Sequence, residues 1–213
     1  MTLSSHTLWA EWKRITRFLN STQIALARER LLWESLELDR AADTRLHVPA
    51  EKGEYVVRLD EHLDSLGTLT TLHAAVLIQS YAVAEAAACD RLGRDQRAAG
   101  GIEDWGQALL AANGQSWAQV HGGLAGAVEV AVARNAYAHA AHLVDARAEA
   151  RLTTAGSARW TAGARVELQL TDVIEFRARI RSLLRYGGFH QPSPPASPSA
   201  WTCPAGLVTA SRT

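Results

Sequence analysis

The chain has 213 residues, 47% hydrophobic and 21% charged, and its 22 Lys and Arg residues balance 22 Asp and Glu residues. A chain of this length can bury a sizeable core, but its zero net charge excludes a general nucleic-acid-binding surface. Any contact with RNA therefore has to be local and made by a few placed arginines. The two cysteines, Cys89 and Cys203, form no CxxC pair, so neither a zinc site nor a disulfide framework is expected.

The first forty residues have the apolar spacing of a helix. Leu8, Trp12, Ile15 and Leu19 lie on one helical face. A similar stripe continues through Ile24, Ala27, Leu31 and Leu38 after the capping-type residues 20–22, so this segment forms one long helix or two. Residues 47–58 contain a proline and a glycine and are predicted to be a loop.

The strongest helix prediction covers residues 68–92, which are apolar nearly all round and should form the buried centre of a bundle. Gly93 follows at a position where helix ends favour a positive φ. A short helix is expected over residues 103–112. A further helix is expected over about 116–150, with a possible interruption at Gly122 and Gly123.

The period changes from helix-like to strand-like before the last helix. Val166, Leu168 and Leu170 alternate with polar residues, and glycines at 156 and 163 offer turns, so a small β-hairpin is expected between residues 152 and 170.

The last helix is predicted to begin at Asp172, a capping residue followed by Glu175. Arg177, Arg181 and Arg185 recur on it at intervals of four. We interpret this stripe as a solvated helix face, with contact to an RNA backbone as the alternative.

The chain is thus expected to be all-α, a bundle of four to five helices with a possible small β-hairpin before the last helix. One helical domain would cover residues 1–188, and residues 189–213 would form a disordered tail rich in proline and serine. No signal-peptide pattern and no uncharged apolar stretch of 18 residues occurs, so we expect a cytoplasmic protein with no membrane contact.

Chemistry is suggested at one place, the six residues from Arg134 to His139 (RNAYAH). Arginine can fork onto a phosphate, and histidine can exchange a proton near neutral pH, as cleavage of a phosphodiester requires. Asn135 and His139 are four apart and share a helical face, whereas Arg134 and His139 do not point the same way. Either the arginine stem wraps toward the histidine, or two copies of the helix pool their groups across a two-fold axis.

Two other interpretations of these residues remain open. Arg134 could form a surface ion pair and His139 could be a satisfied helix histidine. His139, His142 and Asp145 could approach a metal, but no HExxH pattern or cysteine partner accompanies them, so no metal is expected. No glycine-rich phosphate loop occurs, and no cofactor is expected.

The motif resembles the R-polar-x-x-x-H signature of HEPN domains, an all-α family. The upstream helix around residues 78–85 is similar to a HEPN helix that often carries an acidic residue, here Glu85. The resemblance covers about residues 5–188.

The resemblance implies a metal-independent endoribonuclease that acts on RNA as a homodimer, with its site shared between two motif helices. Arg134 would stabilise the scissile phosphate, His139 would be the acid and base, and Asn135 would position one of them. Glu85 and His142 are supporting candidates. Many such proteins serve in toxin–antitoxin or phage-defence systems, which makes an antitoxin a possible partner. The alternative is a HEPN-like module that binds RNA, nucleotide or a protein without cleaving it.

Two positions depart from the family pattern. Ala141 replaces the tyrosine that is adenylylated in one toxin branch, so that regulation is not expected here. Ala140 replaces a glycine that often follows the histidine, which leaves the helix free to continue.

Overall fold

The computed structural model describes residues 4–36, 42–139 and 142–190. Within these residues the chain forms seven α-helices and one two-stranded antiparallel hairpin, which confirms the all-α class with a small hairpin, whereas the predicted number of four to five helices is too low. The elements are α1 (Ser5–Glu34), β1 (Arg45–Ala50), β2 (Gly53–Arg58), α2 (Leu59–Gly67), α3 (Thr70–Leu92), α4 (Ile102–Ala111), α5 (Gly123–His139), α6 (Ala146–Thr154) and α7 (Leu170–Tyr186).

Helix α3 is the centre of the bundle, as its sequence predicts. It packs against α1, α4, α5 and α7, and Val76, Leu77 and Ala84 are fully buried. By length and composition alone this helix could span a membrane, but 56% of its most apolar window is buried within the bundle. The predicted C-terminal glycine is also confirmed, because Gly93 has a φ of 63°.

Helix α1 is one continuous helix, and only its first half belongs to the core. Leu8, Trp12, Ile15 and Leu19 are all buried, as predicted. The continuation of the stripe is not buried, because Ile24 and Leu31 are 69% and 67% exposed. No residue of the second half is buried, since all the buried residues of α1 lie between Leu8 and Leu19.

The hairpin lies elsewhere than predicted. It occupies residues 45–58, where the sequence predicts a loop, with Val48 opposite Tyr55 and Gly53 at a φ of 102° in the turn. Its strands are short and largely exposed, so they show only a weak apolar pattern. The proline and the glycine therefore dominate the sequence of this segment and favour a loop.

The segment before α7 is extended but forms no hairpin in the described chain. Val166 and Leu168 are buried, as their alternation predicts. Their carbonyl oxygens accept hydrogen bonds from the Tyr137 hydroxyl at 2.8 Å and from His73 Nδ1 at 2.9 Å, respectively. Side chains of the bundle thus replace a second strand, and an isolated bridge between Leu143 and Arg165 is the one β-pairing of this segment.

Helix α7 begins two residues earlier than predicted. Gln169 is its N-cap, and Asp172 lies in the first turn, where its carboxylate accepts from the Gln169 N–H at 2.9 Å. The predicted apolar face is confirmed, because Val173, Phe176, Ile180 and Leu184 are buried.

The solvated arginine stripe predicted on α7 is wrong. Arg177 is only 5% exposed and lies over the Trp12 ring at 4.8 Å, and Arg181 lies 5.9 Å from the same ring. Of the three arginines only Arg185 is exposed. The stripe therefore packs against α1.

The packed chain continues past the predicted domain end at residue 188. Phe189 is buried, and the Trp9 indole N–H donates to the His190 carbonyl at 3.0 Å. The predicted tail, apart from these two residues, lies outside the described residues.

We expect Gly93→Ala to destabilise the protein by about 1 kcal/mol, because an L side chain is disfavoured at this positive φ. A Cβ at this position meets no atom within 4 Å, so the loss is purely conformational. Urea unfolding measures it. Gly93→Asn is the matched control and should lose less, since asparagine tolerates this conformation. Equal stability of wild type and Gly93→Ala would contradict the assignment.

Candidate functional site

The motif lies at the C-terminal end of α5, and the single helix predicted over 116–150 is two helices. Gly122 precedes α5 and Gly123 is its first residue, and both have positive φ, as their predicted interruption requires. Helix α5 is described up to His139, and His142 has a φ of 71° with its N–H bonded to the Ala136 carbonyl at 3.0 Å. The expected single helix is therefore interrupted by His142, and the expectation at position 140 lies, with position 141, outside the described residues.

A cleft of about 680 Å³ contains the predicted catalytic residues. Arg134, Asn135 and His139 all line it from α5, and Glu85 lines it from α3. Arg134 and His139 do not share a helical face, yet both line the same cleft within a single chain. The length and flexibility of the arginine stem make this possible.

The Arg134 guanidinium contacts two neighbouring side chains and keeps one donor without a partner. It is half-buried, its Nη1 donates to Asn135 Oδ1 at 2.8 Å, and its Cζ lies 5.2 Å from the centre of the Tyr81 ring. Its Nε is buried and has no hydrogen-bond partner. No ion pair to Arg134 occurs in the described chain, so the predicted surface ion pair is not its role. An orphaned buried donor on a permanent cation suits an anionic ligand.

His139 and His142 differ in their surroundings. His139 is exposed at the end of α5. His142 is not among the residues that line the cleft, and its ring lies 4.3 Å from the Tyr137 ring, tilted by 34°. Of the two supporting candidates, the structure brings Glu85 to the cleft and not His142.

Tyr81 is a cleft residue that the sequence interpretation missed. It lies four residues before Glu85 on α3, and this helical spacing was the signal that could have found it. Burial, together with the Glu85 charge, raises the pKa of the Tyr81 phenol to about 12. The ring is therefore a neutral platform beneath the Arg134 cation.

Burial also raises the pKa of the Glu85 carboxyl, and the Arg134 charge opposes this only in part. Glu85 has no hydrogen bond or ion pair within the described chain. The Arg134 and Glu85 charges are thus near enough to interact and yet unpaired.

Most other charges around the cleft are already compensated. Arg151 Nε and Nη2 donate to the two Glu103 carboxylate oxygens at 2.8 and 2.9 Å. Burial raises the pKa of Glu103, but the hydrogen bond from Arg151 and its charge outweigh this, so the pKa is lowered overall. Asp145 accepts from the Ala148 N–H at the start of α6, and Asp104 accepts from the Gly101 N–H at the start of α4. Arg134, Arg147, His139 and Glu85 remain available to a ligand.

Metal coordination through the motif finds no support. In residues 4–36, 42–139 and 142–190, no group of three or more His, Cys, Asp or Glu side chains could hold a metal ion. The possible set of His139, His142 and Asp145 assumes one helix, but α5 ends at His139 and Asp145 caps α6. Cys89 is buried, and burial raises the pKa of its thiol, as expected for an inert side chain.

Comparison with protein-family models, with curated proteins and with solved structures finds no match to this chain. The function is therefore argued from the motif and from the geometry of the cleft.

We expect Glu85→Gln to raise the melting temperature at about pH 7 and to have little effect at about pH 4. The pKa of Glu85 in the folded protein is raised above its ordinary value of 4.5, so stability falls as the pH rises from 4.5 through the raised value. Glutamine removes this loss. Differential scanning calorimetry at both pH values tests it.

The matched control is Glu51→Gln, which changes an exposed carboxylate in the turn of the hairpin. This variant should show the same difference from wild type at both pH values. A Glu85→Gln protein that melts below wild type at neutral pH would contradict the expectation.

Proposed function

We propose that the protein is a metal-independent endoribonuclease of the HEPN type, with Arg134 and His139 as its catalytic pair. The observation that carries the proposal is that both residues, together with Asn135, line one cleft of about 680 Å³. The orphaned Nε of Arg134 adds support, because it offers a phosphate oxygen a donor that has no other partner.

The proposed reaction is attack of an RNA 2′-hydroxyl on the adjacent phosphorus. The P–O2′ bond forms and the P–O5′ bond breaks, which leaves a 2′,3′-cyclic phosphate and a 5′-hydroxyl. His139 accepts the proton of the 2′-hydroxyl, and the protonated His139 of a second copy donates a proton to the leaving O5′. No metal is needed, since Arg134 stabilises the charge on the phosphorane.

Asn135 and Glu85 act on Arg134 rather than on the RNA. The 2.8 Å hydrogen bond from Arg134 Nη1 to Asn135 Oδ1 fixes one edge of the guanidinium. The unpaired Glu85 charge attracts the guanidinium towards α3. We therefore assign both as positioning residues.

A homodimer completes the proposed site. His139 is exposed, and Leu143, 45% exposed, lines the cleft beside it, so both are accessible to a second copy. A cytoplasmic role in a toxin–antitoxin or phage-defence system, with an antitoxin protein as partner, belongs to this proposal through the resemblance of the motif.

The second candidate function is a HEPN-like module that binds RNA, nucleotide or a protein without cleaving it. One observation favours it. Within the described residues His139 is the one histidine that lines the cleft, so a single chain lacks a second histidine for the other proton transfer. A monomer with this cleft would bind and not cleave.

We expect purified protein to cleave transfer RNA in the presence of EDTA, and Arg134→Ala and His139→Ala each to reduce the rate by at least about 100-fold. Gel analysis of a labelled substrate measures the rate and identifies the 2′,3′-cyclic phosphate.

Two variants serve as matched controls for this assay. Arg14→Ala removes an exposed arginine paired with Glu11, and His47→Ala removes an exposed histidine of the hairpin. Both should cleave like wild type. Equal cleavage by all five proteins would indicate contamination and reject the site, whereas RNA binding without any cleavage would favour the non-catalytic module.

We expect the protein to be a dimer at micromolar concentration when its mass is measured by light scattering. Adding an excess of His139→Ala subunits to wild-type protein should lower the cleavage rate if one site uses both copies, because a mixed dimer keeps only one of the two His139 side chains that the reaction uses. A monomer that cleaves at the wild-type rate would contradict the shared site.

A further inference from the structure

A second cleft, of about 320 Å³, lies between α1 and α7 and shares no residue with the first. Its walls are formed by Trp9, Trp12, Lys13, Thr16, Arg17 and Arg181. Three of these six residues are cations and none is an acid. This composition differs from that of the first cleft, where most charges are compensated.

Two like-charged pairs lie on the two helices that form this cleft. Lys13 and Arg17 are four residues apart on α1, and Arg177 and Arg181 are four residues apart on α7, so each pair shares a helical face. The Trp12 ring lies between the two helices, with Arg177 at 4.8 Å and Arg181 at 5.9 Å from its centre. Like charges at this spacing repel one another.

Arg177 lies behind the wall of the cleft and has no acidic partner. It is 5% exposed, and its Nη2 donates only to the Trp12 carbonyl at 3.1 Å and the Thr16 hydroxyl at 2.9 Å. The Nε atoms of both Arg177 and Arg181 are buried without a hydrogen-bond partner. Burial, together with the Arg181 charge, lowers the pKa of Arg177 to about 10, which is the direction expected for an uncompensated cation.

Another arginine of the same helix, Arg179, has carboxylate partners that compensate its charge. Arg179 donates to Glu129 at 2.6 Å and to Glu175 at 3.0 Å, on another face of α7. In the part of the chain that the structure describes, no carboxylate pairs with Lys13, Arg17, Arg177 or Arg181. A buried cation without a counter-ion is costly, and a bound anion would offset that cost.

The cationic surface continues beyond this cleft. Arg181 also lines an adjacent cleft of about 890 Å³, to which Arg185 and His121 contribute. The cations therefore form a row from Lys13 and Arg17 through Arg181 to Arg185. A single phosphate would need one part of this row, whereas a chain of phosphates can occupy all of it.

We propose that the cleft between α1 and α7 binds the phosphodiester backbone of a single-stranded RNA, with Lys13, Arg17 and Arg181 as its contacts. That the bound polyanion is RNA rests on the proposed ribonuclease function. That the cleft binds a phosphate-type anion rests only on its uncompensated cations. Arginine forks match phosphate oxygens, and contacts of this kind are independent of base sequence. The cleft would hold the strand while the Arg134 cleft acts on it.

Fluorescence anisotropy with a labelled single-stranded RNA of about 20 nucleotides tests the proposal. The full-length chain carries His139→Ala throughout, so that binding is measured without cleavage. Lys13→Ala, Arg17→Ala and Arg181→Ala should each weaken binding roughly three- to tenfold and reduce the slope of log Kobs against log salt by about 0.7. Arg14→Ala is the matched control, because Arg14 is also an exposed cation of α1 but does not line the cleft. Its affinity for the RNA should stay within about twofold of that of the parent protein.

Lys13 and Arg17 are exposed, so their substitution leaves the fold intact even if Arg181→Ala alters it, and circular dichroism verifies each variant. Equal binding by all variants, or no RNA binding by the parent, would overturn the proposal. Tight binding of inorganic phosphate or ATP that is lost in Arg181→Ala, without RNA binding, would overturn the assignment to RNA.

The two proposals fail in different ways. If wild-type protein does not cleave RNA but Arg181→Ala loses RNA binding, the binding site stands without the nuclease. If wild type cleaves and all variants bind RNA alike, the nuclease stands and this binding site is rejected.

Discussion

The structure depends on burial of α3, a helix with apolar residues on nearly every side. Most of this helix has to be covered by other elements, and α1, α4, α5 and α7 do this, while Thr71, Ala75, Gln79 and Ala82 stay exposed along one face. The same requirement positions the candidate site. Packing α5 against α3 sets Arg134 over the ring of Tyr81 and near the carboxylate of Glu85. The polar groups of the cleft are thus held by an apolar contact.

Charge in this protein is balanced over the whole chain and unbalanced locally. Arg151 and Arg179 have carboxylate partners and connect the helices α6 to α4 and α7 to α5, respectively. Arg134, Arg177 and Arg181 have none within the described residues, and each has a buried Nε without a partner. Donors left unsatisfied in this way are rare in folded proteins. Arg134 and Arg181 each line a cleft, and both proposals of an anionic ligand rest on them.

Local patterns predicted the helices well and the connections less well. The apolar stripe of α7 and the glycine after α3 agree with the structure, because each depends on neighbours within a few residues. The strand-like alternation of Val166 and Leu168 predicts a hairpin before α7. The alternation reports burial correctly, but the partners of this segment are Tyr137 and His73, which are distant in sequence. The true hairpin at 45–58 is mostly exposed and leaves a weak apolar pattern.

The sequence by itself determined the helical class, the buried centre and the identity of the RNAYAH motif, because periodicity and residue chemistry are local properties. Only the tertiary structure decided that Arg134 and His139 reach one cleft, since the end of α5 and the path of the arginine side chain depend on what packs around them. It likewise decided that Arg177 and Arg181 of α7 pack against Trp12, whereas Arg185 is exposed. The spacing of a basic stripe in the sequence is the same whether the helix face is solvated or packed. Here the face is packed because α1 places the Trp12 ring against Arg177 and Arg181.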